Sequence, residues 1–187
     1  MRVGIIGSAG SGKSTLAKNL ATHLGATYIP DYVIAVLRDQ GRDSWRGVND
    51  VQQRRRIREE ALRRKVAAEN EHAEFVSDKT IVDYLAYWLQ NQSEHEDRKN
   101  NEAFVAQCKA AVQRYDVLVF LAYRETVDYA VGRNQEPVHN LKVAAHKRGL
   151  LSLWKLPFVE AEYVFGEELT AWCDRYLAPF RVPAGAP

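Results

Sequence analysis

The sequence predicts an α/β fold: a mostly parallel sheet with helices on both faces. Three observations point to it. Short apolar runs with strand-forming residues alternate with helical periodicity from end to end of the chain. The run Val117-Leu118-Val119-Phe120-Leu121 is continuously apolar, as a central parallel strand covered on both faces must be. The first apolar run passes through a glycine-rich segment straight into a helical pattern.

That first passage is the most informative. Val3, Ile5 and Ile6 form the strand, and Ser14 to Leu20 read as a helix start. Between them, Gly7-Ser8-Ala9-Gly10-Ser11-Gly12-Lys13-Ser14, followed by Thr15, fits G-x-x-x-x-G-K-[ST]. Glycines admit backbone dihedrals closed to other residues, so successive N–H groups can wrap a phosphate. The helix that follows points its positive end at the same phosphate. Lys13 is placed to reach the β- and γ-phosphates, and the Ser14 hydroxyl to ligate Mg²⁺. The motif therefore predicts that the chain binds a nucleoside triphosphate with Mg²⁺.

Size and composition bound the rest. A length of 187 residues suggests one domain, residues 1–187. With 46% hydrophobic and 27% charged residues, it has material for an ordinary core. A formal net charge of +2 gives no global field that would mark a nucleic-acid binder. Cys108 and Cys173 lie far apart without a metal or redox spacing, so reduced, inert thiols are expected. No apolar run is long enough to span a membrane, and the N-terminus does not read as a secretory signal. A cytoplasmic protein is expected.

The remaining elements follow in order. Leu16, Leu20 and Leu24 form the stripe of the first helix, which Gly25 stops. Ala26 to Ile29 is a second strand, and a helix with Val33, Val36 and Leu37 inward ends near Gly41. Asp31 thus stands just past the carboxyl end of a strand, the edge where open α/β sheets bind ligands. It reads either as the group that takes or orients a substrate hydroxyl proton, or as a helix N-cap. Gly41 to Asp50, with Trp45, is a loop, and Val51 to His72 a long helix. That helix carries Arg54, Arg55, Arg56, Arg58, Arg63, Arg64 and Lys65. The four-residue spacings Arg55/Glu59, Arg56/Glu60, Glu59/Arg63 and Glu60/Arg64 suit salt-bridged, solvated faces. The other reading is contact with substrate phosphates, DNA included.

Ala73 to Asp78 is the third strand, with Asp78 at its carboxyl end, either a carboxylate near Mg²⁺ or a cap for the helix Ile81–Leu89. Lys79 could touch a phosphate or be solvated. Tyr84, Tyr87 and Trp88 form an aromatic stripe at helical spacing, core or base-stacking platform. Gln90 to Asn101 is a surface loop, Glu102 to Arg114 a helix, and Tyr115 to Leu121 the fourth strand. Ala122 to Glu136 is polar and carries Arg124, Gly132 and Arg133. Leaving the same edge of the sheet, it is either an ordinary loop or part of a lid, about residues 122–149, that excludes water and brings arginines over the nucleotide. Val138 to Lys147 continues as helix, stopped by Gly149. Pro157 to Ala161 is a fifth strand, Glu167 to Leu177 a last helix, and Pro179 to Pro187 a frayed tail.

These motifs resemble the P-loop nucleoside and nucleotide kinases, nearest the ribosylnicotinamide kinase domain. The resemblance rests on Gly7–Thr15, Tyr28-Ile29-Pro30-Asp31-Tyr32, Phe75-Val76-Ser77-Asp78 and Gly132-Arg133-Asn134-Gln135-Glu136. The chain is also similar to phage P-loop kinases that phosphorylate 5-hydroxymethyluracil within DNA. The resemblance implies a three-layer fold with a five-stranded parallel sheet in the order 2-3-1-4-5. It implies in-line transfer of the γ-phosphoryl of ATP to a hydroxyl. Lys13 would hold phosphates, Ser14 and Asp78 Mg²⁺, Asp31 the acceptor hydroxyl, and Arg133 with Arg124 the developing charge. The acceptor is then a nucleoside-type small molecule or modified DNA; an NTP-dependent switch without an acceptor is the other class. The chain departs from its relatives in Asp31, where glutamate is common, and in Lys79, where arginine is frequent.

Overall fold

The computed structural model describes residues 1–91, 98–121, 137–162 and 168–180. Among these, five strands alternate with seven α-helices. The strands are β1 (Arg2–Ile6), β2 (Thr27–Ile29), β3 (Phe75–Asp78), β4 (Val117–Leu121) and β5 (Phe158–Ala161). They form one sheet in the order β2-β3-β1-β4-β5, and every pairing is parallel. The expected topology is therefore present. All five carboxyl ends fall on one edge. The chain reverses its direction of winding around β1, which places the glycine loop at the switch point, where such sheets bind ligands.

The helices are α1 (Lys13–Leu24), α2 (Val33–Asp39), α3 (Val51–Asn70), α4 (Ile81–Asn91), α5 (Arg98–Ala111), α6 (Pro137–Leu153) and α7 (Leu169–Tyr176). Two hydrophobic clusters sandwich the sheet. On one face Leu16, Leu20 and Trp172 of α1 and α7 pack on Val3, Ile5, Val117 and Val119. On the other, side chains of α2 to α6 pack on Ile6, Ile29, Phe75, Leu118 and Phe120. The alternation along β1 and β4 sends neighbouring residues to opposite clusters, and both are buried, so the strands read as unbroken apolar runs. Gly4 sits where β1 touches α4 and β4. A Cβ there would lie 2.6 Å from Leu118 Cδ2 and 2.7 Å from Thr80 Cγ2, so only glycine fits.

Three expectations change. α6 runs through Gly149 to Leu153, because the pattern Val143, Ala144, Lys147, Leu150, Leu151 keeps one face buried beyond the glycine. Packing of that face outweighs the roughly 1 kcal/mol propensity cost of an internal glycine. The expected loop at Gln90–Asn101 is shorter: α4 reaches Asn91 and α5 begins at Arg98. Asn101 accepts a hydrogen bond from the Trp88 indole at 3.1 Å, and Arg98 pairs with Glu102, which supports the added turn. Pro179 and Phe180 belong to a 3₁₀ turn packed on α1 and α7, while 181–187 lie outside the described residues. The polar stretch 122–136, with Arg124, Gly132 and Arg133, also lies outside them.

Candidate active site

The site forms where the carboxyl ends of β1, β2 and β3 meet α1, α3, α4 and α6. Gly12 caps α1 in the left-handed region, φ 85°, and Gly10 takes φ 78°. These are dihedrals that the glycines of the motif supply and other residues resist. A Cβ on Gly7 would stand 2.7 Å from Ser11 Oγ and 3.2 Å from Leu121 Cβ, so a side chain there would have to displace the Ser11 hydroxyl. Lys13 folds back over the loop and donates to the Ser8 carbonyl. Burial lowers the Lys13 pKa to about 7, with Lys147 adding to the fall and Asp83 and Asp78 opposing it. A half-buried ammonium beside another lysine is a strong attractor for a polyphosphate.

Asp31 follows β2, two residues before the start of α2. One oxygen accepts from the Val33 N–H at 3.0 Å, but Asp31 is not the N-cap: that position is Tyr32, which makes no side-chain cap bond. The same oxygen accepts from the Tyr84 hydroxyl at 2.8 Å, and the other takes Lys79 Nζ at 2.7 Å. Burial alone would raise the Asp31 pKa, but Lys79, Tyr84 and the Val33 N–H hold it below the ordinary value. Lys79 is raised by the same pairing despite its burial. Asp31 is therefore a carboxylate across the neutral range. Lys79 itself adopts φ 61°, a strained left-handed conformation for a side-chain-bearing residue, which turns it from the end of β3 toward Asp31.

Asp78 ends β3 and is 5% exposed, with the Tyr28 hydroxyl donating to it at 3.1 Å. It does not cap α4. That position belongs to Thr80, whose N–H and hydroxyl both donate to Asp83 Oδ2, at 2.8 and 3.1 Å. Ser14 and Asp78 both line the cavity. A hydroxyl and a carboxylate are the hard oxygen donors that Mg²⁺ takes, few in number because phosphates and water complete its shell.

Three further residues hold the site together, and motif reading missed them. Lys65, fully buried on α3, donates to the carbonyls of Ile29 (3.1 Å), Pro30 (3.0 Å) and Asp78 (2.8 Å). It thus ties the end of β2, one residue before Asp31, to the end of β3. Burial lowers its pKa to about 8, and Glu69, 4.0 Å away, moderates the fall. Lys147, fully buried on α6, donates to the Gly7 carbonyl at 2.6 Å and pairs with Asp83 at 2.7 Å. Asp83, on α4, completes that link between the glycine loop and two helices. The signal for Lys65 was helical phase: it shares the stripe of Ile57, Ala61 and Leu62.

The basic helix divides by face. Of the four expected pairs, Glu60 with Arg64 is present at 2.8 Å; Arg63 turns to Glu60 at 2.7 Å and not to Glu59, and Arg56 to Asp50 at 3.8 Å and not to Glu60. Arg55, Arg58 and Lys65 are buried instead, which corrects the reading of the whole run as solvated. The aromatic stripe also divides. Trp88 is core, stacked on Phe104 at 3.9 Å, whereas Tyr84 and Tyr87 line the cavity. That cavity, about 1050 Å³, is lined by the glycine loop, Asp78, Asp31, Trp45, Arg54 and Arg58 among others.

A parallel sheet that delivers a phosphate-wrapping glycine loop at its switch point, with two strand-end carboxylates beside it, defines the P-loop class of nucleotide-binding proteins. The chain belongs to the AAA domain family, whose profile matches residues 2–163. No curated protein sequence matches it. Among solved structures, it is similar to deoxyadenosine kinase from M. mycoides with bound dATP. The two are 14% identical, with 94% of this chain and 98% of that one covered and a TM-score of 0.61. It is also similar to shikimate kinase from Acinetobacter baumannii in complex with shikimate (12%; 93% and 90%; 0.53). YorR from Bacillus subtilis, in complex with phosphorylated GDP, is a third (13%; 87% and 85%; 0.53). At such identities the likeness is one of fold, and at that level the resemblance to P-loop nucleoside and nucleotide kinases holds. No described helix is long and apolar enough to cross a membrane.

Proposed function

We propose that the chain is a kinase that transfers the γ-phosphoryl group of ATP, with Mg²⁺, to a hydroxyl of a nucleoside-type small molecule. The observation that carries this is the shared cavity. The glycine loop with Lys13 lines one part, and Asp31, an ionised carboxylate, lines another. A hydrolytic switch needs the first; an acid held at a strand end by Lys79 and Tyr84 has its use when a second substrate presents a hydroxyl.

In this reading the loop N–H groups and Lys13 hold the triphosphate, and Ser14 and Asp78 are the residues that would hold Mg²⁺. When bound, the cation neutralises charge on the phosphates. Asp31 accepts a hydrogen bond from the acceptor hydroxyl and takes its proton as the new P–O bond forms and the bond to ADP breaks. Its low pKa suits this order. A loose phosphoryl-transfer transition state needs an oriented hydroxyl more than an early deprotonation. Lys79 keeps Asp31 charged and pointed. Arg133 and Arg124, on the segment after β4, are assigned the charge developing on the transferred group.

The test supplies ATP labelled at the γ-phosphate with Mg²⁺ to a panel of nucleosides, nucleotides, ribosylnicotinamide, plain DNA and hydroxymethyluracil DNA. Label in a small molecule, abolished in Lys13→Ala and cut by 10³-fold or so in Asp31→Ala, is expected. Label in hydroxymethyluracil DNA alone would replace the small-molecule acceptor with DNA. Label only in free phosphate, indifferent to Asp31→Ala, would refute the kinase reading in favour of a regulatory NTPase.

A further inference from the structure

Part of the cavity wall is cationic: Arg46, Arg54 and Arg58 line it together with Asp43, whose exposed carboxylate stands toward Arg38. Arg54 and Arg58 stand one turn apart on α3 and both line it. Like charges at this spacing repel, and a chain gains nothing in stability from setting them side by side. Arg58 is 8% exposed, and its guanidinium lies over the Trp45 ring at 4.9 Å. Burial, and then Arg54, lower its pKa to about 10. Arg54 is fixed by donating Nε to the Val48 carbonyl. Among the described residues no carboxylate lies within ion-pair distance of either one. The acids nearby are engaged elsewhere: Asp31 with Lys79, Asp39 with Arg64, Asp50 with the N-terminus of α3, and Asp43, exposed, toward Arg38. On the outer face of the same helix every arginine named above finds an acid, so the inner pair is a departure from the helix's own pattern.

A buried, unpaired guanidinium is a costly arrangement unless an anion arrives to complete it. Seven residues of α3, roughly 10 Å of helix, separate Arg58 from Lys65 at the ends of β2 and β3, whereas the glycine loop follows β1, so the anion is assigned to the acceptor and not to the donor triphosphate. We infer that Arg54 and Arg58 bind a phosphate carried by the acceptor, so that the acceptor is a phosphorylated nucleoside with its reacting hydroxyl directed at Asp31. This deepens the proposed kinase function and rests on it. Planar guanidinium groups bind phosphate through paired N–H donors, which a neutral nucleoside does not supply with a partner. Trp45, Tyr84 and Tyr87 line the same cavity, and aromatic rings suit a base or sugar. A cavity of about 1050 Å³ holds a donor and one mononucleotide.

The experiment compares each deoxynucleoside with its 5′-monophosphate, in the wild type and in Arg58→Met, Arg58→Lys and Arg56→Met. Two readouts run in parallel: label transfer from ATP, and the shift in melting temperature produced by each compound without ATP. At least one monophosphate should be used with kcat/KM about 10- to 100-fold above its nucleoside, the effect of one charge-assisted pair. Arg58→Met should erase that preference through KM more than kcat and abolish the thermal shift. Arg58→Lys should restore it only in part. Arg56→Met, which removes an outward charge from the same helix, should change neither. Equal use of nucleosides and monophosphates, untouched by Arg58→Met, would overturn the subsite and leave the kinase reading standing. Transfer to hydroxymethyluracil DNA but to no mononucleotide would overturn the assigned occupant. If no compound accepts label, the kinase reading fails, and the thermal shift decides the subsite alone: none with any monophosphate overturns it, and one lost in Arg58→Met upholds the phosphate site.

Discussion

Replacing Lys65 with methionine should separate stability from catalysis in this fold. The ammonium makes three hydrogen bonds to carbonyls, at 2.8 to 3.1 Å, and none of its side chain is exposed. Hydrogen bonds with a charged partner contribute about 1.5–3 kcal/mol each. Their sum overstates the loss, because burying the ammonium is itself unfavourable, as its lowered pKa of about 8 records. Methionine fills the stem, but Glu69 is left buried without its cation. The net cost should be about 2–3 kcal/mol, which for 187 residues lowers Tm by roughly 5–10 °C. Catalysis should suffer more. The three carbonyls belong to Ile29, Pro30 and Asp78, so the bonds set where Asp31 and Asp78 stand relative to each other. A shift of about 1 Å in either costs on the order of 100-fold in kcat. The KM for ATP, set by the glycine loop, should change little. The assay is label transfer from ATP at a temperature well below both melting points. The double variant Lys65→Met/Glu69→Gln removes both buried charges. It should recover most of the Tm and none of the kcat. Wild-type kcat in the single variant, or recovery of kcat together with Tm in the double, would refute the positioning role.

Two glycines should respond to alanine with opposite sign. Gly149→Ala, on an exposed turn of α6 with nothing within 4 Å of the new Cβ, should stabilise the protein by about 0.5–1 kcal/mol in chemical denaturation. Gly4→Ala should destabilise it by about 1–3 kcal/mol through contact with Leu118 and Thr80, and an unchanged midpoint would mean that the sheet gives way more easily than its packing implies. For Asp31, whose folded-state pKa lies below the ordinary carboxylate value, the stabilising contribution is complete above the unfolded pKa of about 4 and is lost as pH falls through the folded one. Asp31→Asn should therefore melt below the wild type at pH 6, with the gap closing toward pH 3, and a gap that stays constant would show that the Lys79 pairing contributes nothing.

Much of the fold was legible because its signals are local. The period-2 and continuous apolar runs at Val3–Ile6 and Val117–Leu121 each specify a strand without reference to the rest of the chain. The glycine loop is legible for the same reason: the dihedrals at Gly10 and Gly12 are a property of the segment itself. Asp31 and Asp78 could be placed at the correct edge, because a residue at the end of a parallel strand has its position fixed by topology. Their partners could not. Lys79 and Tyr84 reach Asp31 across 48 and 53 residues, and Lys147 reaches Gly7 across 140. No spacing rule covers such distances. Gly149 misled for the opposite reason: the local rule was sound, and tertiary burial of the α6 face overrode it.

The basic helix shows what separates the two cases. Its charges were read as one run, yet the structure gives them two unrelated tasks according to a phase already present in the sequence. Ile57, Ala61 and Leu62 mark the buried stripe, and Arg58, Lys65 and Glu69 fall on or beside it, while Arg56 and Arg63 fall opposite. A charged residue on an apolar stripe has to be either neutralised by the protein or completed by a ligand, since burial without a partner is prohibitive. Lys65 is of the first kind, with three carbonyls and a glutamate. Arg58 has only an aromatic face among the described residues, so by the same reasoning it is of the second kind. The stripe thus carries functional information that the count of charges hides, and helical phase is the step that recovers it.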